Sequence, residues 1–69
     1  MSYWNYRVVE DEHGTLGIHE VFYDEHHKPD FCTVNPVDIS GMESIDEMNK
    51  VIVMMRKAMS YPILNHEDF

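Results

Sequence analysis

The residues able to do chemistry are few, and the densest group is His26-His27 among Asp24, Glu25 and Asp30. Imidazole and carboxylate together suit a borderline divalent metal. Adjacent loop residues rarely reach one ion together, however, and no spaced set such as His-Glu-x-x-His occurs, so a solvated turn is the expected reading. His19 and Glu20 are neighbours in a β-like segment and must point to opposite faces, which keeps them from working on one substrate atom. His19 is expected to be a hydrogen-bonded, partly buried histidine, with a pH-sensitive contact as its alternative. Cys32 is the only cysteine, which leaves no internal disulfide and no cysteine-based zinc site. A nucleophilic thiol needs a base in reach and a lowered pKa; nothing in the spacing supplies either, so Cys32 is expected to pack as a small apolar residue. Glycine-rich phosphate loops and Gly-x-Ser-x-Gly elbows are lacking. The expectation is a non-enzymatic protein with no cofactor and no metal, against an alternative of metal binding or catalysis through His19, His26 and His27.

The elements that must position these groups belong to a chain of 69 residues, enough for one domain over 1–69. A domain this short buries only about 60% of its unfolded surface, so a thin core, a partner or a homodimer is expected. Five Lys and Arg against thirteen Asp and Glu leave a net charge of −8, which argues against direct contact with nucleic acid or an anionic membrane. No apolar run approaches the roughly 20 residues of a membrane span. Met1 to Arg7 does not read as a signal peptide, and a cytoplasmic protein is expected.

The chain carries no linker, repeat or low-complexity tract, and its reading is three strands followed by a helix. Tyr3 to Glu10 alternates Trp4, Tyr6, Val8 against Tyr3, Asn5, Arg7, Val9, and Leu16 to Tyr23 returns after a turn in which Gly14 can take a positive φ. A shorter third strand spans Phe31 to Val34, with Pro29 barring regular pairing before it. Short turns favour an antiparallel meander. Ser44 and Glu47 form a capping-box pattern at the head of a helix over Ile45 to Met59, whose Ile45, Met48, Ile52, Met55 and Met59 make one apolar stripe. Asp46 and Glu47 in its first turn and Arg56 and Lys57 in its last complement the helix dipole, and Tyr61-Pro62 stops it. Such a helix is about 22 Å long, which matches about 23 Å of strand. The expected fold is therefore α+β: a three-stranded antiparallel β-meander with one C-terminal α-helix packed on one face (β-β-β-α).

Trp4, Tyr6 and Val8 are expected on the core side of the first strand. The second strand leaves two choices open, since Ile18, Glu20, Phe22 and His19, Val21, Tyr23 each combine two apolar residues with one ionisable one. Either choice places at least one large aromatic on the open face, a candidate binding or dimer surface.

On a meander, the Glu10–Thr15 turn, the Asn35–Glu43 connection and the start of the helix fall at one end. That end gathers Glu10, Asp11, Glu12, Asp38, Glu43, Asp46 and Glu47, with Lys28, Arg56 and Lys57 toward the other. An acidic pole of this kind speeds encounter with a basic surface in a salt-dependent way.

The segments Trp4-Asn5-Tyr6-Arg7-Val8-Val9, Gly17-Ile18-His19-Glu20-Val21-Phe22-Tyr23-Asp24-Glu25 and Lys28-Pro29 resemble a family of small uncharacterised bacterial proteins whose matching stretches read W-N-Y-R-V and G-I-H-E-V-Y-Y-D-E-x-G-K-P. The resemblance implies the same β-β-β-α layout and no known activity. The chain departs from that pattern at His27, where the family has a turn glycine, and at Phe31-Cys32, in place of a tryptophan. If position 27 needs a positive φ, His27 is strained or the turn has changed.

The expected role is a protein-interaction module, in its sharper form an acidic, phage-type inhibitor or regulator that occupies the basic, nucleic-acid-binding surface of a protein partner through the seven carboxylates. A structural homodimer is the further alternative.

Overall fold

The computed structural model describes residues 3–69; of the Met1–Arg7 segment, Met1 and Ser2 lie outside the described residues. Strands β1 (Trp4–Glu10), β2 (Leu16–Tyr23) and β3 (Pro29–Cys32) are followed by helix α1 (Ile45–Ala58), a two-residue strand β4 (Leu64–Asn65) and a 3₁₀ turn, η1 (His66–Asp68). The sheet order is β3-β2-β1-β4, antiparallel except for β4, which runs parallel to β1 through Val9–Leu64 and Glu10–Asn65. The expected meander is present as β1-β2-β3. The helix is not the end of the fold, because the chain returns after it to add the fourth strand. A local signal marks that return: Asn65 accepts from the Glu67 amide at 3.0 Å while Asp68 accepts from the Asn65 amide at 2.8 Å, a capping box of its own.

Both hairpin turns of the meander are built alike, and they reveal a short repeat. In Asp11-Glu12-His13-Gly14-Thr15, Asp11 Oδ1 accepts from the His13 and Thr15 amides, each at 2.9 Å. The Gly14 amide donates to the Asp11 carbonyl at 3.1 Å. In Asp24-Glu25-His26-His27-Lys28, Asp24 Oδ1 accepts from the His26 and Lys28 amides at 2.8 and 3.0 Å, and the His27 amide donates to the Asp24 carbonyl at 3.0 Å. Each is a turn followed by one left-handed residue, the form that closes three-residue hairpins. Gly14 holds that position at φ +81° and His27 at φ +62°. The conditional expectation about position 27 is thus met: a positive φ is required there, and a side chain occupies it.

β3 begins two residues earlier than expected, at Pro29 rather than Phe31. Pro29 pairs with Tyr23 as the first strand residue, after a register shift between Phe22 and Tyr23. Proline is tolerated at that position because the strand's first amide can go unpaired. Beyond Cys32 the pairing is irregular, the Thr33 amide donating to the Glu20 carbonyl and the Val37 amide to the Ile18 carbonyl.

The main buried cluster lies on the face opposite to the one expected, although Val8, expected on the core side with Trp4 and Tyr6, is itself buried on their face. Val9, Val21 and Tyr23 form the buried cluster, with Cys32 and Leu64 packed against it. The His19, Val21, Tyr23 set of β2 therefore faces inward, and Trp4 and Tyr6 lie on the other side with Ile18, Glu20 and Phe22. The β4 return decides this, since Leu64 pairs beside Val9 and adds apolar cover to that face.

The helix cap forms with one difference from the expected box. Ser44 Oγ accepts from the Glu47 amide at 3.1 Å, while Glu47 Oε2 accepts from the Glu43 amide at 2.9 Å rather than from Ser44. The helix ends at Ala58, one residue before the expected Met59, which serves as C-cap. It is also rolled from the expected orientation: Met48, Val51, Met55 and the fully buried Ala58 face the fold, whereas Ile45, Ile52 and Met59 are exposed. Its main packing is against β1, and it contributes no residue to the Val9–Val21–Tyr23 cluster. Small Ala58 allows the close approach that sets this roll.

Candidate functional site

The other face, crossed by the helix end and the chain after it around Val8, Ile18 and Tyr6, carries an aromatic row. Alternation along β1 places Trp4 and Tyr6 on one side, and the register sets Trp4 opposite Phe22 and Tyr6 opposite Glu20. Phe31 then stands opposite Phe22 across the next pair of strands. The rings follow one another: Phe31 stacks on Phe22 at 4.6 Å between centroids, Phe22 lies 6.4 Å from Trp4, and Trp4 lies 5.5 Å from Tyr6. Aromatic pairs at such distances contribute about 0.5–1.5 kcal/mol each beyond their buried area. Trp4 is nevertheless 42% exposed and Phe31 55%. Burial, and then the neighbouring Glu20 carboxylate, push the Tyr6 phenol above its ordinary value. Rigid aromatic area beside an acidic group is the surface chemistry that holds a cationic or amphipathic protein segment.

The opposite face is tied shut by a polar node. Tyr3 stacks on Tyr23 at 4.7 Å, the Tyr23 hydroxyl donates to Asn5 Oδ1 at 2.7 Å, and Arg7 Nη1 donates to the same hydroxyl at 3.0 Å. Arg7 Nη2 donates to the Pro62 carbonyl at 2.7 Å, and the guanidinium sits 5.2 Å from the centre of the Tyr61 ring. Among the described residues, Arg7 Nε is buried without a partner. The node clamps the chain leaving the helix onto β1, a structural task that uses both arms of the guanidinium fork.

The histidines take separate places. His19 Nδ1 lies 2.8 Å from the Thr33 carbonyl, which only accepts, so Nδ1 carries the proton. This is the hydrogen-bonded, partly buried histidine that was expected. Glu20 lies on the other face, with its amide bonded to Thr33 Oγ1 at 3.3 Å. His26 sits 3.6 Å from Glu25 in an exposed pair, and the His27 ring lies 6.0 Å from Tyr3. Among the described residues, no group of three or more His, Cys, Asp or Glu could hold a metal ion. Burial raises the Cys32 thiol, which works against a nucleophilic thiolate.

The seven carboxylates fall into two sequence-local sets. Glu10, Asp11 and Glu12 belong to the first hairpin, where Glu10 Oε1 lies 3.5 Å from Asn65 Nδ2 and Glu12 lies 3.4 Å from His13. The β4 return sets Glu67 and Asp68 beside this group, an addition the strand-and-helix reading missed although the Asn65-x-x-Asp68 cap was there to be read. Asp38, Glu43, Asp46 and Glu47 lie on the connection into α1 and its first turn, with Asp38 accepting from Ser40 at 2.9 Å. Asp11 and Glu47 each serve local backbone, so part of the acidity has a structural use. Among the described residues, no helix is long and apolar enough to cross a membrane. Comparisons of the chain with protein-family models, with curated proteins and with solved structures found no match.

Proposed function

We propose that this chain is a non-enzymatic protein-interaction module that engages a basic surface on a protein partner, one that the partner otherwise offers to nucleic acid. The open aromatic row from Phe31 to Tyr6, flanked by Glu20, carries the reading. Trp4 and Phe31 supply the anchors, since aromatic side chains dominate interface energetics. The carboxylates Glu10, Asp11, Glu12, Asp38, Glu43, Asp46 and Glu47 act at longer range, raising the encounter rate with a cationic partner. A net charge of −8 keeps the module away from nucleic acid itself.

The test is quantitative capture of partners from lysate by the folded chain. Trp4→Ala with Phe31→Ala should lose the captured protein. Reversing Asp11 would also break the first hairpin, so the charge arm uses Glu12→Lys with Glu67→Lys, which should weaken capture chiefly at low salt. Capture that neither pair of substitutions changes would refute the proposal.

A further inference from the structure

A second apolar surface lies where the end of the helix and the following strap cross the sheet. Val8, Leu16, Gly17, Ile18, Met59, Tyr61 and Ile63 line a groove of about 290 Å³. Leu16 is 52% exposed, Met59 65% and Ile63 56%, and no lining residue is charged. Large apolar side chains converging on one concavity differ from apolar residues scattered singly over a surface.

The dimensions of the molecule point the same way. Its accessible surface is 5286 Å², whereas a folded monomer of 8.2 kDa should expose about 4,500 Å². The surplus of about 750 Å² is close to the roughly 800 Å² that each partner buries in a standard interface. The radius of gyration is 12.4 Å and the extents are 35 × 32 × 21 Å, against a radius of about 11 Å for a compact chain of this length. A flat, open protomer with a thin core has the shape of half an assembly.

We infer that this groove is a homodimer interface, filled by the same groove of a second copy across a two-fold axis. Two copies of charge −8 repel, so the centre of a self-contact must be free of charge, as the lining of this groove is, with Glu10 and Glu20 at its edges on the same face. The exposed helix face around Val53 is less suited, because Lys50 lies beside Val53 there and two-fold contact would bring like charges together. Met59, unbranched and at the rim, can repack to fill the neighbouring copy's concavity. The groove shares a sheet face with the aromatic row, at its Val8–Ile18 end, whereas Trp4, Phe22 and Phe31 lie toward the other end; the Leu16 and Ile63 variants below leave the row's residues untouched.

Light scattering coupled to size exclusion, run on the full chain over about micromolar to millimolar concentration, reads the outcome directly. The wild type should show twice the 8.2 kDa chain mass. Leu16→Glu and Ile63→Glu should each raise the dissociation constant by at least about tenfold, whereas Val53→Glu should leave it unchanged. Circular dichroism confirms that the exposed-site variants stay folded, and Leu16→Ala offers a milder second variant with the same direction of effect. A wild type that is monomeric throughout overturns the inference, as does a dimer broken by Val53→Glu but not by Leu16→Glu.

Discussion

Replacing His27 by glycine should cost this protein little or nothing, although it deletes a side chain. The two hairpin turns share one hydrogen-bond scheme, and they differ in the residue held at positive φ: Gly14 at +81° and His27 at +62°. A side chain in the left-handed region costs about 1–2 kcal/mol. Glycine regains that energy but makes the unfolded chain freer by about 0.4–1 kcal/mol. The tilted contact of the His27 ring with Tyr3, 6.0 Å between centroids, is at the weak end of aromatic pairs, about 0.5 kcal/mol. The His27→Gly protein should therefore fall between about 0.5 kcal/mol below and about 1 kcal/mol above the wild type, centred on a gain of a few tenths, because its parts oppose. His27→Ala makes the sharper comparison. Both substitutions remove the ring, and glycine alone relieves the backbone, so glycine should exceed alanine by about 1 kcal/mol, or roughly 4–8 °C in Tm for a domain of this size. Urea and thermal unfolding at one fixed protein concentration measure the difference, the concentration being held because association adds to apparent stability. Glycine and alanine variants of equal stability would refute the strain assigned to position 27.

Tyr23→Phe removes the hydroxyl that joins Arg7 to Asn5, and should cost about 1–3 kcal/mol in urea unfolding because both partners are left short of a bond. Arg7→Met should act locally, raising amide exchange at Leu64 and Asn65 while leaving Val21 protected, because it frees the Pro62 strap; a uniform rise would contradict the clamp. Acid should weaken both hairpins. Amides of Thr15 and then His13 hold the Asp11 carboxyl below its ordinary 3.8, and amides of Lys28 and then His26 do the same for Asp24. Groups depressed in the folded state contribute stability that is complete above 3.8 and is lost as the pH falls through their lower folded values. The urea midpoint of a double Asp11→Asn, Asp24→Asn variant should accordingly fall less steeply than that of the wild type below that value, and parallel curves would remove the two turns as a source of acid sensitivity.

Local chemistry was legible in the sequence wherever a rule reaches only three or four residues. Leu16–Tyr23 stands as read, and so does the Ser44 cap with its helix from Ile45. The question of a left-handed residue at position 27 came from the resemblance, whose family has glycine there, and the structure holds His27 at φ +62°. The Asp-Glu-His repeat of the two hairpins was equally local and went unread, because Gly14 and His27 share no side-chain chemistry and only the backbone shows them to be equivalent. The aromatic row was half legible. Alternation put Trp4 and Tyr6 together on one side, and some large aromatic was bound to stay outside, as Trp4 and Phe31 do.

Which side became the core was a matter for tertiary structure alone. The two faces of β2 each offer two apolar residues and one ionisable group, so hydrophobic alternation is degenerate there and cannot choose. The choice fell to Leu64, which arrives next to Val9 after the helix and tips burial toward Val9, Val21 and Tyr23. The roll of the helix was open for the same reason. Residues 51–55 are apolar without interruption, so the periodic stripe can be drawn in more than one phase, and the close approach of Ala58 selects one. Sequence by itself determined the net charge, the first two hairpin strands, the Ser44 cap and the helix that it starts, the structural features among them depending on bonds between near neighbours. Sidedness, the fourth strand and the groove that Ile63 closes beside Val8 depend on segments more than fifty residues apart meeting, as Val9 and Leu64 do, and such a meeting is a property of the folded chain.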